Sequence, residues 1–91
     1  MRVRWLKSAL VTLHSTLRHV HDENPEAAQD CARRIKLAVD RLEPFPLAGR
    51  PGTVDGTREL VTPRLPFIVV YRVTASEVQI LRVFHSRQAM Q

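Results

Sequence analysis

Residues 56–73, GTRELVTPRLPFIVVYRV, decide the fold. Two runs rich in β-branched and aromatic residues flank a turn marked by Pro63 and Pro66, so the stretch reads as two strands. A third run, EVQILRVFH, follows Ala75-Ser76, a gap short enough for a hairpin turn. The spacing predicts strands over residues 57–62, 67–74 and 77–85. Side chains alternate between the faces of a strand. Phe67, Val69, Tyr71 and Val73 therefore share one face, and Ile68, Val70 and Arg72 the other. On the strand before, Arg58 and Leu60 oppose Glu59 and Val61. On the strand after, Gln79, Leu81, Val83 and His85 oppose Val78, Ile80, Arg82 and Phe84.

Parity alone leaves the register open. The economical choice buries Val69, Tyr71, Val73, Leu81 and Val83 and gathers Arg58, Arg72 and Arg82 on the opposite face. Leu60, Ile68, Val70 and Ile80 would lie beside them. A surface that is half apolar and positively charged suits a partner. The competing reading is a solvated face with Glu59 or Glu77 as cross-strand neighbours.

Upstream, residues 3–6 are compatible with an opening strand. Ser8 can cap a helix whose stripe is Leu10, Leu13, Leu17 and Val20, fading near Asp22-Glu23. Asn24-Pro25 restarts a helix, because asparagine caps and proline suits the first helical position. Its stripe is Ala28, Cys31, Ile35, Ala38, Val39 and Leu42. Residues 43–56, EPFPLAGRPGTVDG, form a surface loop that Phe45 and Leu47 are expected to pin to the core. The fold class is α+β: an N-terminal strand, a helical hairpin, then a three-stranded antiparallel meander. Together they make one small sheet with the helices packed on one face. Residues 1–91 are read as a single domain.

The formal charge of +5 is carried mainly by arginine, since Lys7 and Lys36 are the only lysines. Arginine forks onto phosphate and carboxylate groups, so the composition suits nucleic acid and an acidic protein equally. Cys31 is the single cysteine, which excludes an internal disulfide. Its alanine-rich setting reads as a small buried hydrophobe rather than a nucleophile. Residues 1–14 start basic and turn apolar, but His14, Arg18 and His19 break that run too soon, so neither a membrane span nor a signal peptide is expected, and a cytoplasmic location is. The histidines fall into no ligand pattern: His14 and His21 flank Arg18, while His19 and His21 diverge. Gly49, Gly52 and Gly56 lack the setting of a phosphate loop. No metal and no cofactor are expected.

Several segments together resemble the RelE/ParE toxin superfamily. They are NPEAA at 24–28, Phe45-Pro46, GRPG at 49–52, GTRELV at 56–61, PFIVVYRV at 66–73 and ILRVFHSRQ at 80–88. The match spans almost the whole chain in order, and GTREL and PFIVVYRV resemble the ParE branch most. The resemblance implies a bacterial type II toxin that forms a hetero-oligomer with a cognate antitoxin. ParE-type toxins poison DNA gyrase, stalling it on cleaved DNA; RelE-type toxins cut mRNA in the ribosome. An antitoxin of this kind is expected to be acidic or to present an acidic C-terminal segment that folds on binding. The partner-binding candidates are Arg58, Leu60, Ile68, Arg72, Arg82 and Arg87.

Cleavage of the RelE kind needs proton-transfer groups as well as cations. Arg58, Arg72, Arg82 and Arg87 could supply the cations, and His85 is the best acid–base candidate. By parity, however, His85 points away from Arg82. The RelE branch also implies a catalytic tyrosine or histidine beyond the last strand, and no tyrosine follows Tyr71, itself read as a packing residue. The leading reading is thus a non-enzymatic gyrase toxin. The alternatives are a metal-independent, ribosome-dependent endoribonuclease using His85, Arg58, Arg82 and Arg87, and an inactive member that acts as a binding module.

Overall fold

The computed structural model describes residues 1–87, so Gln88, the last residue of the resemblance, lies outside the described residues. The elements run β1 (Arg2–Trp5), α1 (Lys7–Glu23), α2 (Pro25–Asp40), β2 (Arg50–Pro51), β3 (Arg58–Val61), β4 (Phe67–Val73) and β5 (Glu77–His85). The sheet order is β1-β5-β4-β3-β2. β1 pairs with β5 in parallel, and the other neighbours are antiparallel. The expected meander is present, and the sheet gains the two-residue β2, whose Pro51 is tolerated because the strand lies at an edge.

Asn24 caps α2 as expected: its side-chain carbonyl accepts from the Glu26 and Ala27 backbone N–H groups at 3.1 and 3.2 Å. Ser8 does not cap α1. That helix begins two residues earlier, after Leu6, with no side-chain cap. The Ser8 hydroxyl instead donates to the Leu81 carbonyl at 2.7 Å. It opens a ladder of hydroxyls at four-residue steps along one face of α1. Thr12 Oγ1 accepts from the Val83 N–H at 2.9 Å, and Thr16 Oγ1 donates to the Val83 carbonyl at 3.2 Å. β1 covers the edge of β5 only as far as Ile80, and α1 satisfies the backbone beyond it.

The core lies between the helical hairpin and one sheet face, built from Ala9, Ile35, Val39, Leu42, Phe67, Val69, Tyr71, Val78, Ile80 and Val83. Leu13, Leu17 and Val20 pack against it, whereas Leu10 is exposed, so the α1 stripe starts at Ala9 rather than Leu10. Phe45 and Leu47 do not pin the loop. They are 66% and 63% exposed, and the anchoring is polar.

A β-bulge corrects the predicted faces of β5. Val70 pairs with Arg82 but Tyr71 pairs with Ile80, leaving Leu81 unmatched. One extra residue reverses parity along the strand. Val78 and Ile80 therefore face the helices on one side of the bulge, and Val83 and His85 do so on the other. Ile80 belongs to the core and not to the open face.

The register of β3 makes a second correction. Arg58 pairs with Tyr71 and Leu60 with Val69, which puts Arg58 and Leu60 on the helix side of the sheet. Leu60 packs against the core. Arg58 is separated from Arg72 and Arg82 by the thickness of the sheet.

Candidate functional site

Cross-strand rows define the open face. Arg2 pairs with Glu77, and Arg4, Gln79 and Arg72 form the next row across β1, β5 and β4. Beyond the bulge, Arg82, Val70, Glu59 and Arg50 cross β5 to β2, and Phe84, Ile68 and Val61 close the series. Arg72 and Arg82 stand on this face as expected, with Arg2, Arg4 and Arg50 added.

Hydrogen bonds hold the basic rows in place. Arg72 Nε donates to Gln79 Oε1 at 2.7 Å, Gln79 Nε2 donates to Glu77 Oε1 at 2.7 Å, and Arg4 pairs with Glu77 Oε1 at 3.1 Å. The Gln79 hydrogen bond lowers the Glu77 pKa against partial desolvation, helped by the charges of Arg4 and Arg2. Arg50 pairs with Glu59 at 3.0 Å. Arg82 lies over the Phe84 ring, 4.5 Å from its centroid. Ile68 and Phe84 are only 5% and 6% exposed. Ile68 therefore has little area to offer a partner, and the apolar side chain left open in that row is Val61, which is 50% exposed.

Arg58 organises a different region. Its guanidinium donates to the Gly49 carbonyl at 2.7 Å and the Leu47 carbonyl at 3.4 Å. From the core, the Tyr71 hydroxyl donates to the Pro46 carbonyl and accepts from the Gly49 N–H, both at 2.8 Å. A Cβ at Gly49 would come within 2.7 Å of the Tyr71 ring and hydroxyl and within 2.9 Å of the Glu59 carbonyl, so only glycine fits. The loop is thus fixed from beneath while Phe45, Leu47 and Val54 project outward. Arg58 lines a cleft of about 350 Å³ with Leu47, Pro51, Gly56, Thr57 and Val73.

His85 and Arg87 enter a third region, a cleft of about 630 Å³ between the C-terminal half of α1 and the ends of β4 and β5. Ser15, Thr16, His19, Val20, Glu23 and Phe67 complete its lining. The Phe67 and His85 rings meet edge to face at 5.7 Å, and His85 Nδ1 accepts from the Arg87 N–H at 3.1 Å. His85 is directly opposite Phe67, on the other side of the sheet from Arg82. The four nuclease candidates are divided accordingly: His85 and Arg87 share one cleft, Arg58 sits in another, and Arg82 is on the open face.

Among the described residues, no group of His, Cys, Asp or Glu side chains has metal-binding geometry. His14 and His21 line a separate groove of about 290 Å³ with Leu17, Arg18, Ala28, Gln29 and Ala32. Burial raises the Cys31 pKa, reinforced by Asp30 and opposed by Arg34, which keeps the thiol protonated near neutrality. No helix among the described residues is long and apolar enough to cross a membrane.

Comparison with known proteins matches residues 3–90 to the family described as the ParE toxin of the type II toxin-antitoxin system parDE. Y4kP, a candidate toxin of Sinorhizobium fredii, is 40% identical over 87 residues, covering 96% of this chain and 90% of that one. Toxin RelE2 of Caulobacter vibrioides is 33% identical over 85 residues, covering 93% and 94% respectively. Among solved structures, a chain of the chromosomal ParDE system of P. aeruginosa superposes with a TM-score of 0.77 at 31% identity, covering 93% of this chain and 95% of that one. A chain of the toxin-antitoxin complex RelBE2 of Mycobacterium tuberculosis gives 0.62 at 27% identity, covering 92% and 95%.

Proposed function

The chain belongs to the ParE toxin family of type II toxin–antitoxin systems, and from that premise we propose that it arrests growth by poisoning DNA gyrase until a cognate antitoxin neutralises it. The observation that carries the choice of target is the dispersal of the cleavage candidates. Cutting RNA requires base, acid and charge-stabilising groups around one phosphate. Here Arg82 is across the sheet from His85, and Arg58 lines a different cleft from His85 and Arg87. Poisoning a topoisomerase requires a binding surface and no such convergence of catalytic groups. Action on gyrase also places the protein in the cytoplasm.

The antitoxin reading draws support from the P. aeruginosa and M. tuberculosis structures, which are named as toxin–antitoxin systems. Exposed apolar side chains at Phe45, Leu47 and Val54 offer anchors for a segment that folds on binding. The Arg58 cleft, walled by Leu47 and Val73, suits an acidic side chain of that segment. Arg58→Ala is expected to weaken antitoxin binding about tenfold or more in titration calorimetry. Unchanged affinity would remove Arg58 from the interface.

The cleft shared by His85, Arg87 and His19 favours the second reading, a ribosome-dependent mRNA endonuclease. Induced expression in cells separates the two. A gyrase poison triggers the DNA-damage response and fragments the chromosome while mRNA stays intact. An endonuclease halts protein synthesis and shortens mRNA without DNA damage. Unimpeded growth would indicate an inactive binding module.

A further inference from the structure

We infer that the open sheet face binds the phosphate backbone of duplex DNA directly. Arg2, Arg4, Arg50, Arg72 and Arg82 stand on this face against Glu59 and Glu77, a surplus of three positive charges, with the arginines on β1, β2, β4 and β5. Arg4 and Arg72 flank Gln79 in one row, so their backbones are about 10 Å apart at the usual strand spacing. The forks are oriented before any ligand arrives. Gln79 takes the Nε of Arg72, which is exposed, and Phe84 supports Arg82 from below. A fixed array of guanidiniums recognises phosphate oxygens.

Two features choose among polyanions. An acidic protein segment needs several apolar anchors beside its charges; Ile68 and Phe84 are already buried, which leaves Val61 alone at one edge of the row. Single-stranded nucleic acid is held largely by bases stacked on exposed aromatic rings. Among the described residues the one aromatic ring on this face is Phe84, and Arg82 covers it. What remains is charge without a stacking platform, which matches the sequence-independent backbone of a duplex. The role of this contact in a stalled gyrase complex rests on the gyrase reading, but DNA binding itself does not require gyrase.

The test is fluorescence anisotropy of a short labelled duplex of mixed sequence with the purified full chain, titrated over a range of salt. Binding is expected with a log–log salt slope of about −3, one unit per neutralised phosphate. Arg72→Gln with Arg82→Gln should weaken binding about tenfold or more and reduce the slope by about 2. Arg33→Gln with Arg34→Gln, on α2, removes the same charge elsewhere and should change affinity less than about twofold. Arg72→Lys with Arg82→Lys keeps the charge and should retain the salt slope, which separates lost charge from lost folding. Equal losses in the two glutamine pairs would overturn the inference. So would tighter binding to single-stranded RNA of the same length, or equal competition by polyglutamate. Because gyrase is absent from this measurement, its failure leaves the gyrase reading untouched.

Discussion

At the scale of residues, Tyr71 combines core packing with loop control. Its ring is fully buried, while its hydroxyl joins the Pro46 carbonyl to the Gly49 N–H. Tyr71→Phe keeps the packing and leaves a buried donor without its partner, which costs about 1–3 kcal/mol. Chemical denaturation should register that loss. A change below about 0.5 kcal/mol would mean that the loop finds other partners. Parity made the burial of Tyr71 legible in the sequence; its hydroxyl partners were not legible, because they depend on the path of a loop with no period. Glu77 gives a pH test. Its folded pKa lies below the ordinary 4.5, so its stabilising contribution is complete above that pH and is lost as pH falls through the folded value. The stability gap between the wild type and Glu77→Gln should narrow as pH drops below 4.5. A gap independent of pH would show that the Glu77 carboxylate does not drive the link to Arg4 and Gln79.

At the scale of elements, the α1 ladder replaces a missing strand. Thr12→Val preserves shape but leaves the Val83 N–H without its acceptor, for a predicted loss of about 1–3 kcal/mol. Thr12→Ser retains the oxygen and should lose less; equal losses in the two variants would place the effect in the methyl group. Helix restart at Asn24-Pro25, the limits of β5 and the hairpin at Ala75-Ser76 were all readable, because caps, proline and alternation act locally. The bulge at Leu81 was not. Its signature is apolar residues on both parities, at Val78 and Ile80 and again at Leu81 and Val83, and an intact strand buried on both faces would show the same pattern. Ser8 likewise resembled a cap, and only the position of β5 shows it reaching a neighbouring backbone instead.

At the scale of the whole molecule, the charge of +5 is partitioned rather than diffuse. One group of arginines covers the open sheet face, Arg58 serves the loop, and Arg87 lines the α1 cleft. Order and class of the elements followed from periodicity, and the family followed from the combination of short segments. The grouping of Arg58 with Arg72 and Arg82 failed because register, not parity, decides which strands share a face. The division of His85 from Arg82 was already present in their three-residue separation, and it favours a gyrase poison over a nuclease. A gyrase supercoiling and cleavage assay with the purified protein tests that claim most directly. Linear DNA should accumulate only when gyrase and the protein are both present, and messenger RNA on programmed ribosomes should stay intact. Unimpaired supercoiling alongside cut messenger RNA would contradict it.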